Sequence, residues 1–397
     1  MVANEKATDS QDRRLEPSAL ALVAIQCVLA VGSLSFGVFP LLVDGFVRLA
    51  HLDARSAGLC ITAEMVGQSV GAAGALALVR WVGSRQVVIA SLVLMIVGNG
   101  LTIGVPSSFR WLLVLRAVAG AGCGLTVICI GLLATTKQAA RQFAIFNAAT
   151  LVTCALLAAA IPLLFRMLGV GGVFAVIAGS AALCLGMIPL IPDSHRGQTP
   201  HREKPPAGKF SLIQVALTCA LTVAYFVSLS MFWSYAGEIG IGHHLGVEVV
   251  SSAVAQAWLV GGLGGSLAAA LAAKRLPMSF IIVVCAVGGA AGTYAAIMVA
   301  NAVAFSVVLI GFAFFWNVIY PIQMGLFAEV DASGQLAMLA WFVQLIACAI
   351  GPALGGYVLQ VSSYNVLGFI CALGYVLFVC AALALVPAAK QNSAPIG

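Results

Sequence analysis

Two charged side chains interrupt otherwise apolar stretches of this chain. Glu64 is the single ionisable residue within Ser56–Val79, and Arg116 is the single basic residue inside any of the long apolar runs. A charge in a low-dielectric interior is costly, so such residues face a bundle interior or a water-filled path and are functional candidates. A carboxyl there can take up and give back a proton as its surroundings change. Arg116 carries a planar donor fork that can pair with Glu64 or hold a substrate carboxylate. The competing roles are a glutamate that only packs helices and an arginine that snorkels to the headgroups near Trp111. Gln68 follows Glu64 by one turn, on the same helical face.

A second group of residues suits the binding of a solute. Tyr225, Ser228, Phe232 and Tyr235 recur at helical spacing, with Trp233 beside them. Trp316, Tyr320 and Gln323 share another face, with Asn317 adjacent. Aromatic walls bearing a few polar groups suit an amphipathic or ring-bearing ligand. The substrate contacts expected are therefore Gln68, Tyr225, Ser228, Trp316, Asn317, Tyr320 and Gln323. The competing role is an aromatic belt at the membrane edge, which fits Tyr235 best. Pro321 removes a backbone hydrogen bond and marks a kink or hinge. Gln26, Asn147, Thr150, Gln256 and Gln344 are weaker candidates. His243 and His244, beside Glu238 and Glu248, read as a solvated loop.

These side chains must be positioned by elements whose solvent is lipid. Of 397 residues, 62% are hydrophobic and 8% charged, against about 25% charged in a soluble domain. The apolar runs are long enough to cross roughly 30 Å of hydrocarbon as helices. They do not alternate with period two, which leaves helices and not a barrel. The reading is an all-α membrane protein of twelve transmembrane helices, at 18–43, 56–79, 86–105, 111–135, 143–165, 170–191, 211–236, 249–273, 278–299, 304–328, 335–360 and 365–387. They form two six-helix bundles, 18–191 and 211–387. A 1–17 tail, a polar 192–210 linker and a 388–397 tail complete the chain.

Fourteen lysines and arginines fall on one side of these spans and four, Arg48, Arg55, Arg110 and Arg166, on the other. The positive-inside rule puts both tails and the linker in the cytoplasm of a plasma membrane, for a bacterium the inner membrane. The basic charge thus reads as topology and not as nucleic-acid binding. The halves also look related. Gly71-Ala-Ala-Gly74-Ala-Leu-Ala is matched by Gly262-Leu-Gly-Gly265-Ser-Leu-Ala at an offset of 191 residues, and Pro162 by Pro352 at 190. Two related halves are a common transporter plan, with the site near the midplane between them.

The plan of six spans, basic linker and six spans resembles the major facilitator superfamily over the whole chain. Gly74-Ala-Leu-Ala-Leu-Val-Arg80-Trp-Val-Gly83-Ser-Arg85 looks like that family's loop motif between spans two and three, with Leu78 in place of its acidic residue. Arg116-Ala-Val-Ala-Gly120-Ala-Gly122-Cys-Gly124 resembles its fourth-span motif. Span five lacks the glycines of the family's antiporter motif, while Gly351-Pro352-Ala-Leu-Gly355-Gly356 occurs in span eleven. Gating or packing roles are expected for Gly74, Arg80, Gly83, Arg85, Gly351 and Pro352, for Pro321 as the kink, and for Gly120 and Gly124, which follow Arg116 at i+4 and i+8 and make a smooth face for close helix approach. The resemblance also implies that Arg116 couples protonation to conformational change.

The expected activity is secondary transport of a small organic solute by alternating access, proton-coupled through Glu64 and Arg116. The lean is toward an organic acid or an aromatic or amphipathic compound. Multidrug or metabolite efflux by proton antiport is the alternative within transporters, and a non-transporting receptor or sensor the one outside them. The expected partners are the solute, protons and membrane lipid, with the chain a monomer. No enzyme activity, cofactor or metal is expected. The eleven cysteines form no Cys-x-x-Cys, and no Gly-x-x-x-x-Gly-Lys-Ser/Thr loop occurs.

Overall fold

The computed structural model describes residues 17–104, 108–193, 211–331 and 335–392. The secondary structure among them is helical: α1 (Ala19–Gly37), α2 (Phe39–Arg48), α3 (Ala54–Val82), α4 (Ser84–Thr102), α5 (Phe109–Leu125), α6 (Val127–Ala134), α7 (Ala139–Leu168) and α8 (Gly171–Leu185). After the linker come α9 (Leu212–Gly242), α10 (Val247–Gln256), α11 (Leu263–Ala272), α12 (Met278–Met298), α13 (Ala302–Val330), α14 (Gln335–Val361) and α15 (Tyr364–Asn392). Among the described residues, eleven helical stretches are long and apolar enough to span a membrane. The twelfth is α8, shorter, which a 3-10 turn at Ile188–Leu190 prolongs.

Three expected spans are not continuous. The first breaks at Val38, because Pro40 cannot donate to the Phe36 carbonyl four residues back and the Leu41 N–H turns to the Val38 carbonyl instead. The fourth breaks at Thr126, whose hydroxyl donates to the Cys123 carbonyl at 2.6 Å. The eighth contains a π-turn at Ala257–Gly262 between α10 and α11, a local widening often found at functional positions. At the C-terminus, α15 runs five residues into the stretch expected to be a tail. The linker expected at 192–210 lies mostly outside the described residues, as does most of the 1–17 tail.

Glycines let α3 and α5 touch backbone to backbone. A methyl group at Gly67 would overlap the Ala117 carbonyl, at Gly71 that of Ala121, at Gly120 that of Glu64 and at Gly124 that of Gln68. Gly120 and Gly124 therefore serve close helix approach. A Cβ at Gly74 would meet open space, so packing does not require that glycine. Gly83 adopts φ 82°, a left-handed turn that favours glycine, between α3 and α4. Arg85 then reaches across to donate twice to the Ile191 carbonyl, at 2.9 and 3.1 Å, and so holds the end of the sixth span. Arg80 lies in the last turn of α3, its side chain outside the described residues.

The two halves meet mainly at one end, where α2 and α9 finish and α3 and α10 begin. There the single Tyr235 O–H is shared between the carbonyls of Ala54 and Pro352, at 2.9 and 3.0 Å. Arg166 pairs with Glu248, and Thr62 donates to the Ala349 carbonyl at 2.9 Å. Gly351, Gly355 and Gly356 make room for Ser230 and Tyr235. Nearer the other end, Asn147 donates to Ser266 across the halves. Tyr235 is fully buried, so it bridges helices and is not part of a membrane-edge belt. Glu238, expected in a solvated loop, is helical and half-buried because α9 continues to Gly242.

Replacing Gly120 by valine should push α3 from α5 and cost on the order of 1–3 kcal/mol, read as a lower unfolding midpoint in detergent. Gly74→Ala should instead leave that midpoint unchanged or raise it, since a helix-interior glycine costs about 0.5–1 kcal/mol relative to alanine.

Candidate functional site

Within the first half, the backbone contact between α3 and α5 brings Glu64 and Arg116 together. Arg116 Nη1 donates to Glu64 Oε2 at 3.3 Å, and both side chains are buried. Nη2 donates to Thr102 Oγ1 at 3.0 Å, Asn99 Oδ1 at 3.1 Å and the Gly98 carbonyl at 3.2 Å. The guanidinium lies 4.2 Å from the centre of the Phe174 ring on α8, a cation–π contact. Arg116 is thus neither at the headgroups nor free to hold a substrate carboxylate with these groups. Two atoms remain buried and unpartnered, Glu64 Oε1 and Arg116 Nε. One oxygen of the Glu64 carboxyl thus accepts no hydrogen bond among the described residues.

Asn99, Thr102 and Phe174 were not singled out from the sequence. Asn99 and Thr102 are polar, nearly one turn apart and end an apolar run, a signal that was available. Phe174 offers none, because its ring is one of many.

Between the halves, an aromatic cluster surrounds the break in the first span. Trp233 Nε1 donates to the Phe36 carbonyl at 3.3 Å, and Trp258 Nε1 to the Gly37 carbonyl at 2.8 Å. These are carbonyls that the break at Val38–Pro40 leaves without their helical partners. Trp316 packs on Phe36, Trp233 and Trp258, with ring centres 5.7, 5.8 and 5.3 Å apart. Among the expected substrate residues, Trp316 is the one whose ring meets the other half. Tyr320 lies beside the Gln344 side chain, whose Oε1 is buried and without a hydrogen-bond partner among the described residues. Gln323 is buried, donates to Thr222 Oγ1 at 3.4 Å and keeps an unpartnered Oε1. Asn317 donates to the Ala313 carbonyl of its own helix.

Tyr225 and Ser228 are placed elsewhere. Tyr225 packs against Phe226, Tyr375 and Phe378, and Ser228 lies beside Gly374 of α15. Both face the interior of the second half. Gln68 is half-buried on α3, separate from the aromatic cluster. Pro321 is exposed, one turn after Asn317, whose carbonyl it cannot engage. A cleft of about 490 Å³ lies between α7 and α10, lined by Pro162, Leu163, Arg166, Glu248, Ser251 and Gln256 among others. It contains none of the expected substrate residues. Among the described residues no cluster of histidine, cysteine, aspartate and glutamate can hold a metal ion.

The family model of the Major Facilitator Superfamily matches residues 23–344. The chain belongs to this superfamily. No curated protein is similar enough in sequence to match. Solved structures share the fold: a D-xylose–proton symporter, 16% identical over 94% of this chain and 97% of its own, with TM-score 0.69; and the nucleoside transporter NupG, 11% identical over 92% and 99%, with TM-score 0.76. The Escherichia coli xylose transporter XylE in an inward-open conformation is 16% identical over 92% and 95%, with TM-score 0.71. This major facilitator is a multi-pass membrane transporter and not an enzyme.

Removing one partner of a buried pair leaves an uncompensated charge. Arg116→Ala should therefore destabilise the protein by about 3–5 kcal/mol. The Arg116→Ala/Glu64→Gln double variant should recover a large part of that loss in the same thermal-unfolding assay, which measures the coupling of the two side chains.

Proposed function

We propose that this major facilitator carries a small ring-bearing or amphipathic solute by alternating access, with proton coupling at Glu64 and Arg116. The observation that carries the reading is the buried pair itself, with one carboxylate oxygen open. Glu64 sits on α3, two residues from Thr62, which bonds to the other half. A change of charge at Glu64 therefore acts on a helix that also holds the contact between halves. Protonation would weaken the Arg116 bond and let α3 shift against α5 and α14.

The charge asymmetry of the loops supports a cytoplasmic location for the tails and linker. On that orientation the tightly joined end is the outer face, and the form described is closed toward the outside. The solute would reach Trp316, Tyr320 and Gln344 from the cytoplasmic side. An organic acid has less support than the sequence suggested, because the Nη donors of Arg116 are engaged within the first half. The similar structures are named for D-xylose and nucleoside transport, which favours a polar ring among the solutes to try first.

The test is flux in proteoliposomes, with a solute found by thermal-shift screening of sugars, nucleosides and aromatic compounds. Glu64→Gln should abolish the response of uptake and efflux to an imposed pH gradient while exchange of solute for solute persists. An unchanged gradient response would remove Glu64 from coupling. Trp316→Ala should weaken solute binding roughly tenfold, about 1.4 kcal/mol, if the aromatic cluster forms the site. Unaltered affinity would move the site away from it.

A further inference from the structure

The cleft between α7 and α10 is built from two helical faces, one from each half. On α7, Ala159, Pro162, Leu163 and Arg166 fall at i, i+3, i+4 and i+7. On α10 and the π-turn that follows it, Glu248, Ser251, Ala255 and Leu259 fall at i, i+3, i+7 and i+11. Small side chains, Ala159 on one wall and Ser251 and Ala255 on the other, leave the space of about 490 Å³. From Glu248 to Leu259 the helix rises roughly 16 Å, about the depth of one leaflet when the apolar core is roughly 30 Å thick. The cleft therefore runs from the membrane edge toward the midplane, on the side where the halves are joined.

Its two ends differ in chemistry. At the edge, Arg166 lies in the last turn of α7 and Glu248 in the first turn of α10, and they pair across the halves. Their side chains are 72% and 54% exposed. A pair that open contributes about 0–1 kcal/mol, so a headgroup presenting both charges exchanges with it at little cost. One turn further in, Ser251 is buried and its Oγ has no hydrogen-bond partner among the described residues. Ser252 beside it accepts from Gln256 at 3.0 Å. The remaining walls are apolar, and Leu163 and Leu259 are exposed to the bilayer. Charge at the edge, a hydroxyl below it and hydrocarbon toward the midplane is the order of groups along a phospholipid.

We infer that this cleft binds one glycerophospholipid with an amine-bearing zwitterionic headgroup, its acyl chain lying between α7 and α10. The phosphate accepts from the Arg166 guanidinium, the ammonium donates to the Glu248 carboxylate, and Ser251 Oγ donates to an ester oxygen. Charge balance selects the headgroup. Arg166 and Glu248 present one positive and one negative group, which a zwitterion matches group for group. An anionic headgroup satisfies Arg166 and leaves Glu248 facing like charge. A quaternary ammonium has no N–H with which to make a charge-assisted hydrogen bond to Glu248. A lipid seated here touches both halves, so it stabilises the form in which this end is closed. The site is separate from Glu64 and from the aromatic cluster, and it requires no solute.

Native mass spectrometry of the purified full-length protein tests the site. The protein is titrated in detergent with phosphatidylethanolamine, phosphatidylcholine and phosphatidylglycerol of identical acyl chains. One phosphatidylethanolamine should bind about tenfold more tightly than either of the others and should raise the unfolding midpoint. Equal retention of all three lipids overturns the proposal. Leu163→Trp fills the cleft and keeps the ion pair. It should abolish the preferential binding while leaving the lipid-free unfolding midpoint at the wild-type value, and survival of that binding places the lipid elsewhere. Glu248→Gln should bring phosphatidylethanolamine down to the level of phosphatidylcholine, whereas Arg166→Gln should weaken both. A preference for phosphatidylethanolamine that persists in Glu248→Gln also overturns the assignment. Flux changes in Glu64→Gln or Trp316→Ala bear on the transport reading and leave the lipid result standing.

Discussion

The arrangement of this transporter depends on two indole N–H groups that reach across from the second half to the broken first span. Pro40 deprives the Phe36 carbonyl of its helical donor, and the turn at Val38 frees the Gly37 carbonyl as well. A free carbonyl in a lipid-embedded bundle is costly. Trp233 and Trp258 supply the missing donors from α9 and the π-turn. Each indole is then fixed in orientation by a hydrogen bond at one end and by ring contacts along its faces. Trp316 packs on both, and Phe36 completes the cluster. The break therefore joins the halves through bonds that exist only while they are together, and it gathers the aromatic rings where the halves meet.

The same break redirects α2. Had the first span continued straight, Asp44 and Arg48 would have followed the axis of α1. The bend brings α2 against α9, where a methyl group at Gly237 would collide with the Pro40 carbonyl, and Asp44, fully buried, pairs with Arg48. A structural hydrogen-bond deficit and a close backbone contact between halves thus share one origin in Pro40.

In the first half, shape does what charge alone cannot. Glu64 and Arg116 sit 52 positions apart and could each have found water or headgroups. They meet because Gly67, Gly71, Gly120 and Gly124 remove every Cβ that would hold α3 away from α5. Close approach then excludes water, and Asn99, Thr102 and Phe174 share the guanidinium. The result is a polar network with two atoms left unpaired, which is rigid in most of its bonds and open at the carboxylate.

Composition and run length were enough to determine that this chain is helical and membrane-spanning, because lipid tolerates neither exposed charge nor unpaired backbone. The isolated charges in apolar runs marked Glu64 and Arg116 as unusual, and spaced glycines marked the faces that touch. Pairing across helices was beyond the sequence, because helical periodicity orders side chains along one element and says nothing of which neighbour they meet. Hence Tyr225 and Ser228, which share α9 with Trp233, turn to α15, and Trp258, hidden in the eighth span, proves to be a contact between halves. Glu238 looked like a loop residue because the run of apolar side chains ends before it, yet α9 continues and buries it. Only the tertiary structure decided that Arg116 is engaged by Glu64, and that Trp233 and Trp258 cap the broken first span. Those facts depend on the bend at Pro40 and on close glycine contacts, which act between segments far apart in the chain.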